Sequence, residues 1–184
     1  VARRVHDLAL RRSPSLGHGR LVCVDGPAGS GKTTLAAALA ALAGATVVHM
    51  DDLYDGWHGL SRVGDQLDAL LVPLSTDEPG TYRRYDWDLE EYAETVTVGP
   101  SPLLVLEGVG SGSREHASLC TALVWVEAPD GLRLHRGLVR DGPQLEQQWL
   151  DWMADEAEHF AAQDTRARAD VLVDGTGESA PQLP

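Results

Sequence analysis

The sequence predicts a three-layer α/β domain, a mostly parallel five-stranded sheet with helices on both faces. Three observations carry the prediction. Residues 21–24 (Leu-Val-Cys-Val) form a short apolar run that leads into a glycine-rich turn and then an Ala/Leu-rich segment with helical spacing. Four further short runs, at 46–50, 103–106, 122–127 and 171–173, are mainly apolar, as strands buried on both faces are. Helix-like segments fall between them, and such alternation gives a parallel sheet with right-handed crossovers. At 184 residues the chain is long enough for one well-cored domain and short for two, so a single domain over 1–184 is expected.

In chain order, residues 1–12 put Val1, Val5 and Leu8 at i, i+4 and i+7, a short amphipathic helix with its arginines outside. A loop at 13–19 follows, and the first strand is Arg20–Asp25. The next helix covers Lys32–Ala43, with Leu35, Leu39 and Leu42 on one face and Gly44 as its stop. The strand at 46–50 ends in Asp51 and Asp52. Ser61 is placed to cap a helix running to Val72 that buries Val63, Leu67, Leu70 and Leu71, and Pro73 closes it.

Residues 75–80 read as a turn-rich loop. Residues 81–88 (TYRRYDWD), dense in aromatic and charged groups, read as a pocket wall or lid. The stretch 89–98 is ambiguous, since Leu-Glu-Glu-Tyr reads helical and Thr-Val-Thr-Val extended. After the strand at 103–106, which ends in Glu107, a short helical piece is expected near 114–119. Asp130 caps the following helix. Pro143 opens a long one to Ala162, with Leu145, Trp149, Trp152, Met153, Ala157 and Phe160 inward. The strand at 171–173 precedes a polar tail, 175–184, expected to be loose.

The turn after the first strand reads D-G-P-A-G-S-G-K-T-T. Gly26, Gly31, Lys32 and Thr33 fit the phosphate-loop pattern G-x-x-x-x-G-K-[ST], in the strand–loop–helix setting that the pattern requires. The backbone from Gly26 through Pro27, Ala28, Gly29, Ser30 and Gly31 to Thr33 and Thr34 can curl its N–H groups into an anion nest, because glycine puts no side chain in the way. The helix that follows adds its N-terminal dipole and unpaired amides. Lys32 is expected to reach the β- and γ-phosphates and the Thr33 hydroxyl to sit on Mg²⁺, making ATP and Mg²⁺ the expected cofactors. A chance match is the alternative. Against it, Lys32 is the only lysine beside fourteen arginines, standing where a compact ammonium suits a phosphate better than a planar fork. With this motif the fold class becomes a P-loop NTPase fold.

The formal net charge of −13 argues against nucleic acid as a partner, because such a surface repels polyanions. Any phosphate site must then be a local positive pocket. No apolar run approaches a membrane span and no secretory pattern is read at the start, so no membrane partner is expected. Cys23 and Cys120 lie far apart in sequence and read as reduced thiols, which points to the cytoplasm. A homodimer stays open as an assembly state.

In open α/β sheets ligands bind outside the carboxyl ends of the strands, so Asp25, Asp51, Asp52 and Glu107 are candidates for chemistry there. Asp51 and Asp52, on an extended strand end, are expected to face different ways. Arg133, Arg136 and Arg140 fall on one helix face, either a solvated face or a phosphate clamp, with Gly137 and Gly142 lending freedom to move. Trp57, Tyr82, Tyr85 and Trp87 offer flat walls, and His58, Arg83 and Asp86 polar edges, suited to a ring-bearing acceptor.

Taken together with the segment at Asp51, these motifs make the chain resemble a known family. The series D-G-P-A-G-S-G-K-T-T, V-V-H-M-D-D-L-Y, Y-D-W-D, L-L-V-L-E-G and R-x-x-R-x-x-x-R-D is similar to that of the uridine kinase-like nucleoside kinases, relatives of the phosphoribulokinases and pantothenate kinases. The resemblance covers roughly residues 20–175. It implies ATP-dependent phosphoryl transfer to a hydroxyl of a nucleoside or nucleoside-like acceptor. It also implies Asp51 as the carboxylate facing that hydroxyl, Glu107 near Mg²⁺, and Arg136 and Arg140 as lid arginines closing on the phosphates with Lys32. Tyr54, Trp57, His58, Arg83, Asp86 and Trp87 map to acceptor-pocket segments. The chain is short, with little room for the acceptor-binding hairpin of larger uridine kinases. Another small alcohol (pantothenate-like, a sugar or a nucleoside monophosphate) is the alternative acceptor. A nucleotide-binding regulator without transfer chemistry is the alternative function.

Overall fold

A computed structural model describes residues 1–182. Helix α1 (Ala2–Arg11) leads into β1 (Arg20–Asp25), α2 (Lys32–Ala43), β2 (Thr46–His49) and α3 (Gly64–Leu74). Strands β3 (Gly80–Asp86) and β4 (Glu91–Val98) come next, then β5 (Leu103–Glu107), β6 (Ala122–Glu127), α4 (Asp130–Asp141), α5 (Glu146–Gln163), α6 (Thr165–Arg168) and β7 (Val171–Asp174). Five strands form one parallel sheet in the order β2-β5-β1-β6-β7, and β3 with β4 forms a separate antiparallel hairpin. The loop after β1 therefore opens at the middle of the sheet's carboxyl edge, flanked by the ends of β5 and β6.

The near-continuous apolar runs are explained by burial on both faces. Along β1, Leu21 and Cys23 face one core while Val22 and Val24 face the other. Leu104 and Leu106 of β5 alternate with Leu103 and Val105 in the same way. The first core packs under α3 and α5, and the second under α1 and α2. Each strand thus seals two layers, the three-layer arrangement that strand–helix alternation predicts.

Several local expectations are corrected. In α1 the buried positions are Val5 and Ala9, with Val1 exposed. In α2, Leu35, Ala36 and Leu39 are buried while Leu42 is exposed, because the last turn brings Ala43 to the core instead. Ser61 caps nothing: it lies in a 3-10 turn, Leu60–Arg62, and α3 begins at Gly64 and carries Pro73 in its final turn. Residues 114–119 form successive turns without a helix. Pro143 opens a 3-10 turn, Pro143–Leu145, ahead of α5. On α5, Trp149 and Trp152 are buried, whereas Ala157 is exposed and Glu156 is buried near it.

Of the ambiguous stretch 89–98, Glu91–Val98 is extended and residues 89–90 belong to the turn before it. The strand pairs with β3 across a tight connection, with a register shift between Arg83 and Tyr85. The short chain accommodates a hairpin after all, seated on α3 so closely that a Cβ at Gly80 would meet the Leu70 carbonyl at 1.9 Å. After β7, Thr176 and Ser179 bond to Asp174 and Gln182 pairs with Leu172, so the tail through Gln182 carries contacts of its own. Residues 183–184 of the expected loose tail lie outside the described residues.

Helix α4 meets α5 at Gly137. A Cβ there would lie 2.3 Å from the Trp149 ring, so this glycine admits a tryptophan instead of supplying a hinge. Gly137→Ala should cost about 1–3 kcal/mol by overpacking, read as a lowered midpoint in urea unfolding. A midpoint equal to wild type would mean that the two helices do not pack as described.

Candidate functional site

The phosphate-loop backbone is shaped from below and from the side. Gly26 adopts φ +133°, and a Cβ there would fall 2.0 Å from the Val126 carbonyl of β6. Gly29, at φ +75°, lies against the α4 backbone, where a Cβ would meet Arg133 carbonyl oxygen at 2.7 Å. Only glycine fits both the dihedrals and the clearances. Lys32 lies buried at the start of α2, and its ammonium donates to the carbonyls of Gly26 at 2.8 Å and Pro27 at 2.9 Å. Burial lowers its pKa, while Asp25, Glu107 and Asp51 pull the other way.

Asp25 closes β1 beneath the loop. Its Oδ1 accepts the N–H of Gly26 at 2.7 Å and of Gly110 at 2.9 Å, and Oδ2 accepts that of Gly112 at 2.8 Å. It is fully buried and does not line the cleft, so its part is structural. Burial raises its pKa from the ordinary 3.8 to about 6, against the three N–H groups and Lys32.

A second buried carboxylate, unforeseen from the sequence, braces the loop's outer lip. Glu156 of α5 accepts the N–H of Ala28 at 2.8 Å and pairs with Arg133 at 2.6 Å. Arg133 donates in turn to the Ala28 carbonyl at 3.0 Å and to Asp130 at 2.8 Å. Arg133 therefore belongs to the scaffold and not to a phosphate clamp. Arg136 reaches the carbonyls of Gly29 and Gly175, each at 3.1 Å, and still lines the cleft. Arg140 lines it too, held bidentately by Asp141 at 2.6 and 2.9 Å.

A cleft of about 690 Å³ opens over the loop. Along its floor, the Thr33 hydroxyl donates to Glu107 Oε1 at 3.0 Å, and His49 Nδ1 meets the same oxygen at 2.5 Å. That ion pair raises the His49 pKa. Strand β2 ends at His49, and Met50–Asp52 form a 3-10 turn, so the expected strand-like alternation of Asp51 and Asp52 does not arise. Both line the cleft. Asp51 opens to the solvent of the cleft but has protein on most sides. Loss of bulk water raises its pKa, and Lys32 opposes the rise.

Tryptophans form the far wall. Trp57 meets Trp87 at 5.7 Å and Trp149 and Trp152 at 6.2 Å each, all edge to face. Tyr54 packs on Trp152 at 5.1 Å, and its hydroxyl donates to the Val109 carbonyl at 2.5 Å. Of the expected acceptor residues, Asp51, Tyr54, Trp57 and Trp87 thus come together in the cleft. Three others do not. His58 is exposed and faces Asp155 at 3.9 Å. Arg83 exchanges bonds with Gln66 and lies over the Tyr92 ring on the hairpin. Asp86 accepts the N–H groups of Asp88 and Leu89 and pairs with Arg84, fixing the hairpin turn. Tyr85 backs Trp87 at 5.4 Å, behind the wall. Trp149 and Trp152, expected in the core, are buried and also face the cleft.

A parallel sheet of this order, with a phosphate loop after its central strand and an acid at the end of the neighbouring one, is a P-loop α/β fold. Among solved structures, the chain is similar to a protein described as a possible uridine kinase from Bacillus stearothermophilus. The two share 21% identity over 94% of this chain and 98% of that one, with a TM-score of 0.64. It is also similar to a candidate fructose transport system kinase from Silicibacter sp. TM1040, at 22% identity over 100% and 96%, with a TM-score of 0.55. No family model and no curated protein matches the chain.

The Asp25 carboxyl binds its proton more tightly folded than unfolded. Its contribution to stability is therefore present below pH 3.8 and lost as pH rises through about 6. Relative to Asp25→Asn, wild type should lose about 3 kcal/mol across that window, the gap between 3.8 and about 6 at 1.36 kcal/mol per pH unit. Chemical unfolding of both proteins from pH 3.5 to 7.5 measures the difference. A constant difference would mean that the three N–H groups and Lys32 cancel the effect of burial.

Proposed function

We propose that the chain is an ATP-dependent small-molecule kinase that transfers the γ-phosphoryl group to a hydroxyl of a nucleoside or nucleoside-like acceptor. One observation carries this: the phosphate loop with Lys32, the carboxylate of Asp51 and a tryptophan wall all face one cleft. The loop amides and the start of α2 bind phosphate oxygens, and Lys32, exchanging the carbonyls of Gly26 and Pro27 for phosphate, adds a point charge. Arg136, bonded to the Gly29 carbonyl of the loop, and Arg140, farther along α4, neutralise charge.

The donor set fits Mg²⁺. Thr33 and Glu107 bring two hard oxygens side by side, and among the described residues no cluster of three His, Cys, Asp or Glu forms a metal cage. Such a set suits an ion that takes its remaining ligands from phosphate and water. When bound there, Mg²⁺ supplies charge neutralisation at the β- and γ-phosphate oxygens. Asp51 orients the acceptor hydroxyl and accepts its proton, a role for which its raised pKa is apt. The tryptophans exclude water and give a flat apolar surface to a ring. The acidic surface disfavours nucleic acid as a partner. Among the described residues no helix is long and apolar enough to cross a membrane. Two free thiols accord with a reducing, cytoplasmic setting.

The test is Mg²⁺-ATP with a panel of nucleosides, nucleoside monophosphates, sugars, pantothenate and glycerate, following product formation. A nucleoside should be phosphorylated best. Asp51→Asn should lower kcat about a hundred- to ten-thousand-fold with ATP affinity nearly unchanged. Preference for an acyclic acid over every nucleoside would overturn the acceptor class. Normal turnover by Asp51→Asn would remove the general-base role.

A further inference from the structure

The β3–β4 hairpin reaches across to the turn that carries Asp51 and holds it with aromatic donors. Trp87 Nε1 donates to the backbone carbonyl of Asp51 at 2.9 Å, and the Tyr92 hydroxyl to that of Leu53 at 3.2 Å. The turn needs such support. Its own bonds are those of Leu53 and Tyr54 N–H to the Met50 carbonyl, at 2.9 and 3.3 Å, and a single 3-10 turn has poor internal geometry. Trp87 is also 38% exposed on the cleft rim, edge to face with Trp57 and backed by Tyr85. One ring is thus both a wall of the cleft and, through its N–H, a stay on the backbone of Asp51.

We propose that Trp87 is a positioning residue for the transfer step: an acceptor seated against its indole fixes the hairpin, and the indole N–H fixes the turn and with it the Asp51 carboxylate. The proposal rests on the kinase assignment above. It couples recognition to chemistry. A molecule that reaches the phosphate but not Trp87 leaves Asp51 loosely held, and small misplacements of a reacting group are costly. Trp57, which touches the same cleft without a bond to the turn, supplies surface only.

Trp87→Phe keeps an aromatic face and removes the N–H, Trp87→Ala removes both, and Tyr92→Phe removes the neighbouring donor. In Trp87→Phe, kcat should fall about tenfold while the acceptor KM stays within about threefold. Trp87→Ala should raise KM as well. Without any ligand, amide hydrogen exchange at residues 53 and 54 should be faster in Trp87→Phe than in wild type, a readout that needs no turnover. Unchanged exchange, or a wild-type kcat in Trp87→Phe, overturns the proposal and leaves the kinase assignment standing. A kcat loss in Tyr92→Phe equal to that in Trp87→Phe also overturns it, since general loosening of the hairpin would then suffice. Failure of wild type to phosphorylate any member of the panel overturns the kinase assignment, and the positioning role with it.

Discussion

The site depends on one buried carboxylate. Asp25 ties three backbone N–H groups from two loops to the end of β1: one opens the phosphate loop and two follow Glu107 at the end of β5. The geometry between Lys32 and Glu107 is set through that junction, before any phosphate is present. Burying a charge is costly, and the raised pKa of Asp25 expresses the cost. The compensation is three directed hydrogen bonds and a nearby ammonium, which fix two loops at once. A hydrophobic residue there would leave three amides without an acceptor.

The opposite lip of the loop is held by different means. Arg133 and Glu156 form a buried pair that grips both the N–H and the carbonyl of Ala28. Pairs of this kind give little net stability, since desolvation consumes most of the Coulomb gain, but losing one partner strands the other charge. Their value here is positional. With Arg133 and Arg136 bonded to loop carbonyls, the first half of α4 is part of the loop's frame. Arg140 is held by its neighbour Asp141, itself anchored by the Trp149 indole, and lies over the Trp149 ring at 5.7 Å. Of the two arginines that line the cleft, Arg140 alone has no bond to the loop among the described residues.

The layers and the phosphate loop were legible in the sequence because each has a local signature. Continuous apolar runs require burial on both faces, and the glycine spacing before Lys32 requires a nest. The acceptor side was only partly legible. Residues 89–98 carry a helical and an extended half, and the decision falls to pairing with β3 and packing on α3, which no local pattern contains. Arg133, Arg136 and Arg140 share spacing and charge, so periodicity could not separate the buried one from those that line the cleft. Glu156 was overlooked because a carboxylate on a helix reads as solvated. Its place one turn after Trp152, on the buried face of α5, was the available signal. Arg83 and Asp86 are misplaced because a hairpin sends alternate residues to opposite faces and its register is not readable locally, and His58 because it lies in an irregular loop between two 3-10 turns, where no periodicity fixes a direction.

The polar half of the cleft is a local exception on a chain with a formal charge of −13. Its cations are few, namely Lys32, Arg136 and Arg140, and they face Asp51, Asp52 and Glu107 across a short span. Such a site repels a bare anion weakly and accepts a metal-bound one well, because the metal offsets the carboxylates. Calorimetric titration of ATP with and without Mg²⁺ into wild type and Lys32→Ala tests the central claim most directly. Saturable one-to-one binding is expected, stronger with Mg²⁺ and weakened at least about tenfold in Lys32→Ala, the loss of about 1.4 kcal/mol. Equal binding by the two proteins, or none by either, would contradict it.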